Sequence, residues 1–163
     1  MKADVKRILV PVDFSENAKL AKDFALAQAE RFGAEVELLH VVDDSTYTSY
    51  MQRGLVGDMH PYLPGGHVPD ESNMDDHGHE FMAKARKELE SYCNNGGECK
   101  ISLRHGNVVE EILKEVDNYH ADMIVMCTHG WTGLKHLMMG SVTERVVRLS
   151  KVPVLTTRGL EHA

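Results

Sequence analysis

The sequence predicts an α/β fold, a parallel β-sheet with helices on both faces. Three observations predict it. Short apolar runs of strand type alternate with stretches of helical periodicity along the chain. One of these runs, DMIVMC at 122–127, is almost continuously apolar, as a strand covered on both faces must be. No internal repeat divides the 163 residues, so a single domain is expected.

The elements follow in order. KRILVPV at 6–12 is the first strand, with Pro11 near its end. A helix is predicted over 16–32, where Ala18, Ala21, Ala25, Ala29 and Phe32 recur at helical spacing. Ser15 or Asp13 can cap its start and Gly33 ends it. EVELLHVV at 35–42 is the second strand. Residues 43–78 carry Pro61, Pro64 and Pro69 together with Gly54, Gly57, Gly65, Gly66 and Gly78, and read as a long loop insertion. A second helix is expected from about Glu80 to Asn94, and a third strand at 99–104. Asn107, with Glu110 three residues on, forms a capping box for a third helix ending near His120. The strand at 122–127 follows, then a helix from about Ser141 to Ser150, and a last strand, VPVLTT, at 152–157.

Composition excludes several function classes. A net charge of −7 argues against a general nucleic-acid binder, which needs clustered Lys and Arg. Lys135, Arg145, Arg148 and Lys151 do make one basic segment, but the last three read as solvated side chains of a helix. No apolar run is long enough to span a membrane, and the apolar stretch in MKADVKRILVPV is too short for a signal peptide. A cytoplasmic protein is expected. Cys93, Cys99 and Cys127 contain no CxxC pair, so three reduced thiols are expected rather than a disulfide framework or a zinc ribbon. His60, His67, His77 and His79 beside several Asp and Met suggest a metal site, but they lack a recognised ligand spacing and read better as a polar loop.

Ligands of open α/β sheets sit beyond the carboxyl ends of the strands. Of the loops there, 128–140 carries the strongest signal. Gly130 and Gly133 let backbone N–H groups approach a ligand, and Gly140-Ser141 opens a helix whose N-terminus favours an anion. Ser141-Val142-Thr143-Glu144 is also a capping box, so the Ser141 hydroxyl can serve its own helix, a phosphate, or both. The loop is neither a Walker A motif nor a G-x-G-x-x-G fingerprint. No convincing catalytic set appears.

Four segments, ILVPVDFS at 8–15, LLHVV at 38–42, RHGNVVEEI at 104–112 and THGWTGLKHLMMGSVTERVVRLSKVPVLT at 128–156, give the chain its likeness to a family. It resembles the universal stress proteins of the UspA type, in particular the branch carrying G-2x-G-9x-G-[S/T]. Gly130, Gly140 and Ser141 match the second half of that pattern, and its first glycine falls on Cys127. The resemblance implies a five-stranded sheet of order 3-2-1-4-5, Rossmann-like, and a nucleotide site. That site would draw on Pro11, Val12 and Asp13, on Val41, on Cys127, Thr128, His129, Gly130 and Gly133, and on Gly140, Ser141, Val142 and Thr143. Asp13 would meet the nucleoside, the Val41 backbone the adenine, and the Gly140 region the phosphates. The implied ligand is ATP, AMP or ADP with Mg2+, held more weakly for Cys127 but not lost. The implied role is a stress-response or regulatory module. Homodimerisation through 152–157 and an unidentified protein partner are implied as well. The alternatives are a dimeric relative that binds partners and no nucleotide, and a very weak ATPase with at most very slow ATP hydrolysis.

Overall fold

The computed structural model describes residues 4–45, 76–94, 97–128 and 139–158. Five strands form one parallel sheet: β1 (Arg7–Pro11), β2 (Glu35–Val42), β3 (Lys100–His105), β4 (Met123–Cys127) and β5 (Val154–Thr157). Their spatial order is β3-β2-β1-β4-β5, as the resemblance implied. Four helices connect them: α1 (Glu16–Phe32), α2 (Asp76–Asn94), α3 (Val108–Tyr119) and α4 (Ser141–Leu149).

The period of two along each strand divides the core between the two faces. Ile8, Val10, Val36, Leu38 and Val125 point to the first face, where Ala18, Ala21, Ala25 and Ala29 of α1 and Met82 and Leu89 of α2 cover them. The four alanines leave α1 a nearly flat face that seats close to the sheet. Leu9, Leu39, Ile124 and Met126 point to the second face, under Val109, Ile112 and Val116 of α3 and Val146 of α4. β1 is flanked by β2 over the registered pairs from Arg7↔Glu35 to Pro11↔Leu39, but by β4 only at Ile8↔Met123 and Leu9↔Ile124. Below that short ladder Asp122 ties the two strands together, its Oδ2 accepting the Lys6 and Arg7 N–H groups at 2.8 and 2.9 Å.

The helix ends are set by the expected residues. Ser15 caps α1, its side chain accepting from the Ala18 N–H, and Gly33 closes it in a left-handed conformation at φ 64°. Asn107 caps α3 by accepting from the Val109 and Glu110 N–H groups. Two expectations need correction. α2 begins at Asp76, not near Glu80, because Gly78 lies inside its first turn instead of ending a loop. The thiols are not all reduced either: Cys93 at the end of α2 and Cys99 just before β3 form a disulfide, with Cα atoms 5.9 Å apart. Composition argued against it because no CxxC motif is present, but the tight return from α2 into β3 supplies the proximity. Cys127 stays outside any disulfide. Reducing the Cys93–Cys99 bridge should lower stability by about 2 kcal/mol, the entropy of so short a loop, measured by urea unfolding with and without dithiothreitol.

Most of the 43–78 insertion, with His60 and His67, lies outside the described residues. The side chain of His77 does too, and His79 stands exposed on α2. Among the described residues no group of three metal-ligating side chains occurs. Among them, too, no helix is long and apolar enough to cross a membrane.

A charged cluster links β2 and β3 to α3. Arg104 Nε donates to Glu115 Oε2 at 2.7 Å. Burial alone would raise the Glu115 carboxyl, but Arg104 outweighs it and holds the group below its ordinary range. Glu37 lies beside Glu115, and burial, then the Glu115 charge, push its carboxyl up to about 7. A carboxyl raised in the folded state stabilises below its unfolded value near 4.5, and that contribution is lost as pH rises toward 7. Glu37→Gln should therefore flatten the stability profile. Between pH 5 and pH 8 the wild type should lose about 1–2 kcal/mol more than the variant in urea unfolding.

Candidate functional site

Three strand ends converge where the order of the sheet reverses. β1 runs out at Pro11, and the Val12 N–H still donates to the Leu39 carbonyl at 2.8 Å. Asp13 follows, and its Oδ1 accepts from the Ser15 N–H at 3.1 Å and from Ser15 Oγ at 2.6 Å. Asp13 thus orients the residue that caps α1, which agrees with the turn role its position suggests. Between them Phe14 takes φ 61°, a left-handed conformation unusual for a bulky side chain. Its ring is held at 4.4 Å from His40 and at 5.4 Å, edge-on, from Tyr92.

The neighbouring end belongs to β4. Cys127 packs its side chain into the first core and is 9% exposed, so the thiol fills apolar space where the family pattern has glycine. Beyond it, the Gly140 N–H donates to the Thr128 carbonyl at 2.8 Å. A Cβ on Gly140 would sit 3.1 Å from that same oxygen, so close approach accounts for the glycine. Thr143 is buried, and its Oγ1 donates to the Cys127 carbonyl at 2.8 Å. The first turn of α4 is therefore pinned to the end of β4 by two hydrogen bonds.

The capping-box reading of Ser141 is corrected here. Gly140 is the N-cap residue and no side chain caps α4. Ser141 is the first helical residue and is exposed. Its hydroxyl is not used as the cap, and the opening N–H groups of α4 have no partner carbonyl inside the helix. With the helix dipole behind them, they can hold an anion.

The third end is that of β2. His40, Val41, Val42 and Asp43 form one wall of a cavity of about 290 Å³, with Phe14, Phe81 and Ala85 around it and Lys84 and Glu88 from α2. A second cavity of about 470 Å³ adjoins it, sharing Phe14, Lys84 and Glu88. Of the expected site residues, the structure brings Val41 to the first cavity, Asp13 to the end of β1, and Cys127, Thr128, Gly140, Ser141, Val142 and Thr143 to the end of β4. His129, Gly130 and Gly133 lie outside the described residues. Sequence reasoning missed Phe14, His40 and Phe81. An aromatic residue directly after a strand end, and a histidine among the buried positions of β2, were the available signals.

Beyond geometry, the family model described as the universal stress protein family matches residues 4–158. The chain belongs to that family. This universal stress protein is 32% identical over 157 residues to the universal stress protein MJ0577 of Methanocaldococcus jannaschii, covering 94% of both chains. The solved structure of MJ0577 superposes with a TM-score of 0.69 at 28% identity, covering 97% of this chain and 99% of that one. Two more distant structures share the fold. One is a universal stress protein of Archaeoglobus fulgidus in complex with dAMP, at a TM-score of 0.56 and 20% identity, covering 94% of this chain and 98% of that one. The other is a universal stress protein in complex with cAMP, at 0.58 and 20%, covering 95% and 98%.

Proposed function

We propose that this universal stress protein binds an adenine nucleotide, ATP with Mg2+ in first place, and acts as a regulatory module with at most very slow hydrolysis. One observation carries the reading: the N-terminus of α4 is pinned beside the end of β4 with the Ser141 hydroxyl outward, next to the end of β1 and within the same face of strand ends as the cavity at β2. An anion site and a cavity with apolar walls, both at the carboxyl ends of the strands, suit a nucleotide laid across that edge of the sheet. The dAMP and cAMP complexes of fold relatives support the same choice of ligand. Mg2+ is expected to arrive on the phosphates, as it usually does when it binds with a nucleotide.

The test is direct. Protein purified from cells should release an adenine nucleotide on denaturation, and ATP should raise the melting temperature of the stripped protein. Ser141→Ala should weaken ATP by about five- to tenfold, the worth of one hydrogen bond to a charged group. A chain that carries no nucleotide and shows no melting shift with ATP would sink the proposal.

We also propose a homodimer through β5. Among the described residues that strand pairs with β4 on one side only, and its other edge has no strand beside it. Light scattering should give twice the mass of one chain; a monomer would overturn this assignment.

A further inference from the structure

We propose that His40 selects the base: its Nε2 accepts a hydrogen bond from an exocyclic amino group of a purine held in the cavity between β2 and α2. The inference rests on the nucleotide reading and adds to it a residue that decides which base is taken.

The tautomer is fixed by geometry. His40 Nδ1 lies 2.8 Å from the Val12 carbonyl oxygen. A carbonyl can only accept, so Nδ1 carries the hydrogen. In the neutral ring Nε2 then holds a lone pair and no hydrogen. Nε2 has no hydrogen-bond partner among the described residues; the ring's other contact is the Phe14 face at 4.4 Å, tilted by 37°. Val12 takes the Nδ1 edge of the imidazole, His40 lines the cavity, and the ring atom left to meet a ligand there is the accepting Nε2.

The surroundings suit a flat base. Phe14, Phe81 and Ala85 offer apolar walls, and the cavity's 290 Å³ is at the small end of ligand pockets, room for a base rather than a whole nucleotide. An acceptor in such a place discriminates by chemistry. A 6-amino purine donates to it. A 6-oxo purine presents an oxygen to a lone pair, so the hydrogen bond is lost and two acceptors face each other.

Calorimetry on the full chain with ATP, ITP and purine riboside triphosphate tests the assignment. The wild type should bind ATP about tenfold or more tightly than ITP, with the analogue lacking a 6-substituent between them. His40→Asn places an amide N–H where Nδ1 stood and, being shorter, leaves no acceptor at the position of Nε2; its ATP-to-ITP ratio should fall to about twofold or less at an unchanged melting temperature. If His40→Asn does not fold, the 15N resonance of His40 Nε2 in the wild type decides: it should shift on adding ATP as the nitrogen accepts a hydrogen bond and stay in place on adding ITP, and no shift with ATP would overturn the assignment. Equal binding of all three, or an undiminished ratio in a folded His40→Asn, would overturn the role of His40 and leave the nucleotide reading standing. Failure of all three to bind would overturn both.

Discussion

Lys22→Ala should cost about 2–4 kcal/mol in urea unfolding, the loss expected for a long buried side chain together with one hydrogen bond. Lys22 is 2% exposed although it carries a charge. Its Nζ donates to the Tyr92 carbonyl at 2.9 Å, lies 4.4 Å from the centre of the Tyr92 ring and 3.9 Å from Asp23. The ammonium thus meets a carbonyl of the last turn of α2, where the helix dipole favours a cation. Lys22→Met keeps the packing of the stem and gives up the donor, so it should lose less than Lys22→Ala. If both variants unfold at the wild-type midpoint, Lys22 adds nothing to the contact between α1 and α2. Because Tyr92 also props the Phe14 ring, Lys22→Ala should weaken ATP binding as well.

Thr143→Val should cost about 2–3 kcal/mol, since it keeps the shape and leaves the buried Cys127 carbonyl without the Thr143 donor. The same change removes one of the two hydrogen bonds that hold the start of α4 to β4, so ATP affinity should fall further than in Ser141→Ala. Calorimetry beside urea unfolding separates the two effects. A Thr143→Val protein with wild-type stability would remove this hydrogen bond from the account of how the anion site is held.

The fold was legible because its signals are local and agree with one another. Short apolar runs gave the strands, alanines at helical spacing gave the inner face of α1, and Ser15, Gly33 and Asn107 bound helices where their chemistry predicts. The strand order came from the resemblance, since nothing in periodicity says that β4 lies beside β1. What stayed hidden depends on distance in space. Ser141-Val142-Thr143-Glu144 spells a capping box, but the approach of Gly140 to Thr128 moves the cap back by one residue. Cys93 and Cys99 lack a motif and meet only because α2 turns directly into β3. Gly78 looked like punctuation and is a helical residue. Phe14 and His40 are unremarkable as letters; their pairing requires β1 and β2 to end side by side.

The ladder between β1 and β4 stops at Leu9↔Ile124, while both chains continue upward to Val12 and Cys127. The sheet is therefore two panels, β3-β2-β1 and β4-β5, joined along one short registered seam, and the strand ends above it are the two lips of the candidate site. Asp13 stands on one panel and the start of α4 on the other. A molecule that grips both lips works as a clasp, and its presence would be felt as stiffness in the whole sheet rather than in a single loop.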